Sequence, residues 1–229
     1  MINNYSDFCA ELMKSGFSVS GGNPKGIFSV IPCSWPDTVP GCDVVWHTGA
    51  PDTDPWEWRM RVLEERSDIA YGKVFFSTGG YITKEWYPYF LAARRCGMTA
   101  EELYEDGRIS QLEKRVYDAV REGGRVPLHT LKRVCGVAGE SSGKFERALT
   151  DLQMKLLVTI CGRTYKRNKY GEEYGWEVSV FCTDGEFWGE DLYDEDITPE
   201  EAYDKIRRRV LEINPEADEK KIKKFISPL

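Results

Sequence analysis

Trp46-His47-Thr48-Gly49, followed by Asp52, Asp54, Trp56 and Trp58, gathers the side chains best able to do chemistry. An imidazole and carboxylates beside aromatic walls are what a base-binding or glycosidic-cleavage site uses. The rings stack an unpaired base, and a carboxylate or imidazole handles water. His47 and Asp54 are therefore candidate catalytic residues, and Trp46, Trp56 and Trp58 a candidate pocket lining. The competing reading is structural: in a chain with 13% aromatic residues tryptophan is more often core than platform, and Asp54 stands where a helix needs a cap.

A second set of residues suits phosphate. Lys144, Arg147 and Lys155 share one side of an expected helix, and Arg163, Lys166, Arg167 and Lys169 crowd an expected hairpin, with Tyr165 and Tyr170 among them. Such cations neutralise a nucleic-acid backbone, and Arg147 could read a base edge. Asp151, Glu172 and Glu173 lie in the same stretches and oppose that role. Two glycine loops, Ser20-Gly21-Gly22-Asn23 and Ser77-Thr78-Gly79-Gly80, could cradle a phosphate but fit hairpin turns better. Nucleotide-binding P-loop, serine-hydrolase, zinc-protease and dinucleotide motifs are all missing, so the chemistries they serve lose support.

The basic residues depend on the stretch from Ser110 to Cys182. Leu112, Val116, Ala119 and Val120 recur at helical spacing, and Gly123-Gly124 ends that helix. Pro127 opens a second helix with Leu128, Leu131, Val134 and Cys135. Ser142 caps a third with Phe145, Ala148, Leu149, Leu152 and Leu156 on one side. Val158 and Ile160 alternate in a first strand, and Trp176 to Phe181 show period two in a second. Three helices and a hairpin in this order match a winged helix, whose third helix enters a major groove while the hairpin touches flanking phosphates.

Ahead of this stretch the sequence predicts a helix over residues 3–15, a strand at Ile27–Ile31 and an irregular segment to Pro55. A helix capped by Asp54 follows, then strands at Ile69–Phe76 and Tyr81–Ile82 joined through Ser77–Gly80, and helices opened by Thr83 and Thr99. Behind it, Thr198-Pro199-Glu200-Glu201 signals one more helix, and Pro215 begins the last.

The chain has 229 residues, 41% hydrophobic, which is enough for one large or two small cores. It lacks the long apolar run of a membrane span and a signal peptide at its start, so a cytoplasmic protein without membrane contact is expected. Seven scattered cysteines with no Cys-x-x-Cys pair, and two histidines, favour neither a disulfide framework nor a metal centre. The net charge of −7 argues against coating nucleic acid by bulk attraction. Charge is uneven, however: ten acids and no base fall between Asp184 and Asp204.

Asp54-Pro55-Trp56-Glu57-Trp58-Arg59 through Ala70-Tyr71-Gly72-Lys73-Val74-Phe75, and Tyr81 through Phe90, resemble the AlkZ-related, YcaQ-like winged-helix family, as does Phe145 through Met154. The resemblance spans residues 40–182 and implies a winged-helix scaffold with a tie to nucleic acid. Active glycosylases of that family carry Gln-x-Asp or Gln-x-Gln to position water. Here Gln111 precedes Leu112-Glu113 and Gln153 precedes Met154-Lys155, so no catalytic residue carries over.

The expected protein is α+β and mainly helical. It has a mixed α/β amino-terminal part (1–108), a winged-helix core (109–183), an acidic linker (184–197) and a carboxy-terminal helical pair (198–229). The expected function is that of a non-catalytic nucleic-acid-binding or regulatory relative of DNA cross-link glycosylases, with DNA or another protein as partner and no cofactor. The alternatives are an enzyme acting on a base or nucleoside-like group through His47 and Asp54, any such reaction being glycosylase-like hydrolysis, or a protein-interaction module.

Overall fold

The computed structural model describes residues 2–23, 25–34, 37, 42–137 and 142–227. In chain order its elements are α1 (Tyr5–Ser15), β1 (Phe17–Val19), α2 (Pro55–Glu65), β2 (Ile69–Phe75), β3 (Thr78–Thr83), α3 (Tyr87–Arg95), α4 (Ala100–Glu105) and α5 (Gln111–Gly123). Then come β4 (Val126–Pro127), α6 (Leu128–Val134), α7 (Ser142–Met154), β5 (Val158–Arg167), β6 (Glu173–Thr183), α8 (Asp184–Trp188), α9 (Pro199–Ile213) and α10 (Glu219–Ile226). The fold is mixed α/β, with antiparallel strand pairing, 46% helix and 18% strand, so helix predominates. Two compact units emerge: Met1–Gly97 with Leu192–Leu229, and Met98–Asp191.

In the first unit β3 lies between β1 and β2, antiparallel to both. Its core is aromatic. Phe8 stacks on Trp58 with centroids 5.0 Å apart, Phe75 stacks on Phe225 at 4.0 Å, and Phe17 meets Phe90 edge-on at 5.4 Å. Each such buried ring contributes about 1.5–3 kcal/mol. Arg94 lies buried beside this core. Its Nε and one terminal nitrogen donate to the carbonyls of Ile226 and Phe225, both at 2.8 Å, and the other terminal nitrogen donates to Val74 at 3.0 Å. Burial pushes the guanidinium down to about 9, while the three carbonyl acceptors suit its charged form.

Four sequence expectations change here. Ile27–Ile31 is not a strand: side chains take two of its main-chain donors, Asn23 accepting from Ile27 N–H at 2.8 Å and Ser18 Oγ from Val30 N–H at 2.8 Å, and its backbone bonds to Val19 and Gly22 are isolated. The β2–β3 turn consists of Phe76 and Ser77, both left-handed at φ 53° and 60°, between the paired Phe75 and Thr78. Gly79 and Gly80 therefore lie inside β3, where a Cβ on Gly80 would come 2.4 Å from the Phe75 ring. Thr83 ends β3 rather than opening a helix, and Pro88 falls in the first turn of α3, where proline is tolerated. At the carboxy-terminal end, Asp218 rather than Pro215 starts the last helix, its carboxylate accepting from Lys221 N–H.

The second unit opens with two capping boxes, Thr99 with Glu102 and Ser110 with Glu113. Its strands run β5, β6, β4, all antiparallel, with Val126 opposite Phe181. The inward faces of α5, α6 and α7 bury Val116, Val120, Leu131, Phe145, Leu149 and Leu152. The acidic stretch after β6 is not featureless, since Thr183 caps the short helix α8.

Candidate nucleic-acid interface

Helix α7 directs its apolar stripe inward, which leaves Lys144 and Arg147 outside, with 86% of the Arg147 side chain in solvent. Asp151, one turn on, lies 3.9 Å from Arg147 and is pushed up by burial. Lys155 does not continue this row. The helix closes at Met154, Leu156 turns left-handed at φ 57°, and Leu157 N–H bonds back to Leu152 at 3.0 Å. That reversal sends Lys155 inward, where it is 6% exposed and meets Glu113, 7% exposed, at 2.9 Å. Lys155 is thus an internal ion-pair partner and not a phosphate contact.

The hairpin has two different faces. Lys166 pairs with Tyr174 and Thr164 with Val178, so by register these residues share one face, and Trp176 lies in the bulge between Tyr174 and Val178. Opposite them, Arg163 bonds Glu177 at 2.9 Å and Arg167 bonds Glu173 at 3.1 Å. A hydrogen bond to Glu177 raises the Tyr165 phenol. At the tip, Asn168 Nδ2 donates to Glu172 at 2.8 Å. Every hairpin acid is therefore held by a hairpin neighbour, and Arg163 and Arg167 are engaged within the protein. Lys166 and Lys169 make no ion pair with any described residue, although Lys169 lies 4.9 Å from the centre of the Tyr170 ring.

The residues around His47 have separate roles. Asp54 is fully buried. Its Oδ1 accepts from the N–H groups of His47 and Trp56 at 3.0 and 2.8 Å, and its Oδ2 from Gly49 at 2.8 Å. Three main-chain donors make it the clamp that starts α2, so using it as a general base would dismantle that start. Trp58 is core, and Trp46 donates to the Cys33 carbonyl at 3.1 Å. Only Trp56 is well exposed, with the His47 ring 4.6 Å away and the Arg59 guanidinium 3.4 Å from its centre. Trp46 also comes within 6.3 Å of the His47 ring, so His47 lies near Trp46 and Trp56 while Trp58 is buried apart from solvent.

A family model described as AlkZ related matches residues 2–227. The chain belongs to the AlkZ-related family. No curated protein matches it. Among solved structures it is similar to a Streptomyces sahachiroi protein described as DNA glycosylase AlkZ, with 11% identity and a TM-score of 0.42 over 75% of this chain. It spans 50% of that protein's chain.

Two features of this AlkZ-related chain escape the sequence reading. Trp176 is 91% exposed and Tyr174 52% exposed. The period of two that sets Trp176 in a row with Val178 and Val180 does not say which way that row faces. A bulge between Ile160 and Gly162 and a second between Thr164 and Lys166 break that row before it leaves the core. The other is a groove of about 610 Å³ between α4, α5 and α6, lined by Tyr104, Gln111, Lys114, Asp118 and Val134 among others. It holds none of the expected site residues, and its lysine is bound by Asp118 at 2.6 Å.

Proposed function

We propose that residues 109–183 of this AlkZ-related protein form a winged helix that holds DNA, and that the protein is a non-catalytic binding or regulatory member of its family. The observation that carries this reading is the pairing of an outward Lys144–Arg147 edge on α7 with a following hairpin that offers Lys166 and Lys169 while its acids are engaged. Lys144, Lys166 and Lys169 make no ion pair with a described residue and are free to neutralise phosphate, and Arg147, 3.9 Å from Asp151, keeps most of its side chain in solvent. Two further features support a binding role over catalysis: both glutamines lack the Gln-x-Asp or Gln-x-Gln continuation, and Asp54 is occupied as a cap.

Binding of duplex DNA across a salt series tests it. The wild type should bind more weakly as salt rises. Joint replacement of Lys144 and Arg147 by glutamate, or of Lys166 and Lys169, should lower affinity for all sequences and reduce the salt slope by about one per lost phosphate contact. Absence of salt-sensitive binding at about 50 mM salt would refute the DNA reading.

A further inference from the structure

Trp176 is the least expected side chain of the second unit. Tryptophan is on average among the more buried residues, yet this one is 91% exposed and its neighbour Tyr174 52%. The backbone presents it deliberately. Between the pairs Thr164–Val178 and Lys166–Tyr174, β6 sets three residues against the single Tyr165. Gly175 sits inside that bulge at φ 77°, a left-handed conformation that glycine adopts without strain. Apart from Gly175 itself and its two chain neighbours, no heavy atom lies within 4 Å of where its Cβ would be, so packing does not explain the glycine and its backbone conformation does.

We propose that Trp176, with Tyr174 two residues before it, is a stacking platform for an unpaired nucleobase, and that Lys166, the register partner of Tyr174, holds the adjoining phosphate. This inference rests on the DNA reading above and names the substrate class: DNA containing an unpaired base, or a single strand. Charge selects the occupant. Glu172, Glu173 and Glu177 are engaged by Asn168, Arg167 and Arg163, so the hairpin around the two rings offers the Lys166 cation, opposite Tyr174, and no unengaged acid. A flat π surface with a lysine and no competing carboxylate suits a base with its phosphate better than an acidic peptide, and stacking accepts any base because each has a π face.

The test compares three labelled DNAs at fixed salt: a duplex, the same duplex with one extra unpaired nucleotide, and a single strand. Wild type should prefer the last two over the duplex. Trp176→Ala should weaken binding to those two roughly 5- to 150-fold, the range for loss of one stacked base, and leave the duplex nearly unchanged. Trp176→Phe should keep most of the preference, and Lys166→Ala should weaken all three. Because Trp176 is almost wholly in solvent, these variants should fold, which circular dichroism checks. Equal loss on all three DNAs, or no loss on any, overturns the platform and leaves the DNA reading standing. Failure of the wild type to bind any DNA overturns both.

Discussion

Replacing Lys155 with methionine should destabilise the protein far more than removing an ordinary surface lysine. The ammonium lies 2.9 Å from Glu113 and both side chains are nearly excluded from water. At an effective dielectric constant of about 20, two charges at that separation attract by about 6 kcal/mol. Desolvation of the two groups offsets most of this attraction, but deleting one partner strands the other, which costs about 3–5 kcal/mol. Glu113 keeps its compensation from Ser110, the N–H at 2.7 Å and the side chain, so the lower end of that range is expected. The pair also sets an acid limb. Burial works to raise the Glu113 carboxyl, but the Ser110 amide and then Lys155 overcome it and hold it below the ordinary carboxylate range. A depressed carboxyl stabilises the fold above its unfolded value, about 4.3, and that contribution is lost as pH falls through the lower folded value. In Lys155→Met, burial is opposed by Ser110 alone, so acid unfolding should begin at higher pH. Urea unfolding followed by circular dichroism, at neutral pH and in an acid series, measures both effects. Combining Lys155→Met with Glu113→Gln removes the stranded charge and keeps an acceptor for Ser110, and should recover about half the loss or more. A single-variant cost under about 1 kcal/mol, or a double variant no better than the single, would refute the ion-pair argument. Where Lys155→Met remains folded, its DNA affinity should equal that of the wild type.

Asp54→Ala should cost about 2 kcal/mol or more, above the usual range for a lost cap, because three main-chain donors lose their acceptor together. Asp54→Asn should fall between, since an amide offers a single acceptor oxygen; equal melting of Asn variant and wild type would show that the second oxygen contributes nothing. Arg94→Met should leave the carbonyls of Val74, Phe225 and Ile226 without their buried donor. A loss of about 3 kcal/mol or more is expected, with amides of α10 the first to exchange with deuterium; unchanged protection there would contradict the assigned lock.

What the sequence conveyed was mostly local. The caps at Thr99 and Thr198 join residues three apart, so their spacing alone reveals them. The clamp at Asp54 was legible as a cap, but its reach back to His47 and Gly49 was not, because a loop folded over a helix start leaves no periodicity. Phe76-Ser77 escaped notice since turns with two left-handed residues usually announce themselves with Asn-Gly, and the visible glycines served strand packing instead. Lys155 was misplaced by extending an ideal helix one residue past its closing turn. The Trp176 alternation was visible, but the bulges that decide which row faces solvent depend on the partner strand.

The bond between Arg94 and the last helix also sets an order of assembly. The first unit is made of two separated segments, and the second is one continuous stretch between them. During synthesis all of residues 98–191 leave the ribosome before the residues that finish the first unit. Until then Phe75 lacks the ring of Phe225 and Arg94 lacks the carbonyls of Phe225 and Ile226. The nascent protein thus passes through a stage with an uncovered aromatic face and a cation meant for the interior, the kind of surface that chaperones hold and aggregates exploit. The residues made first are the last to be sealed.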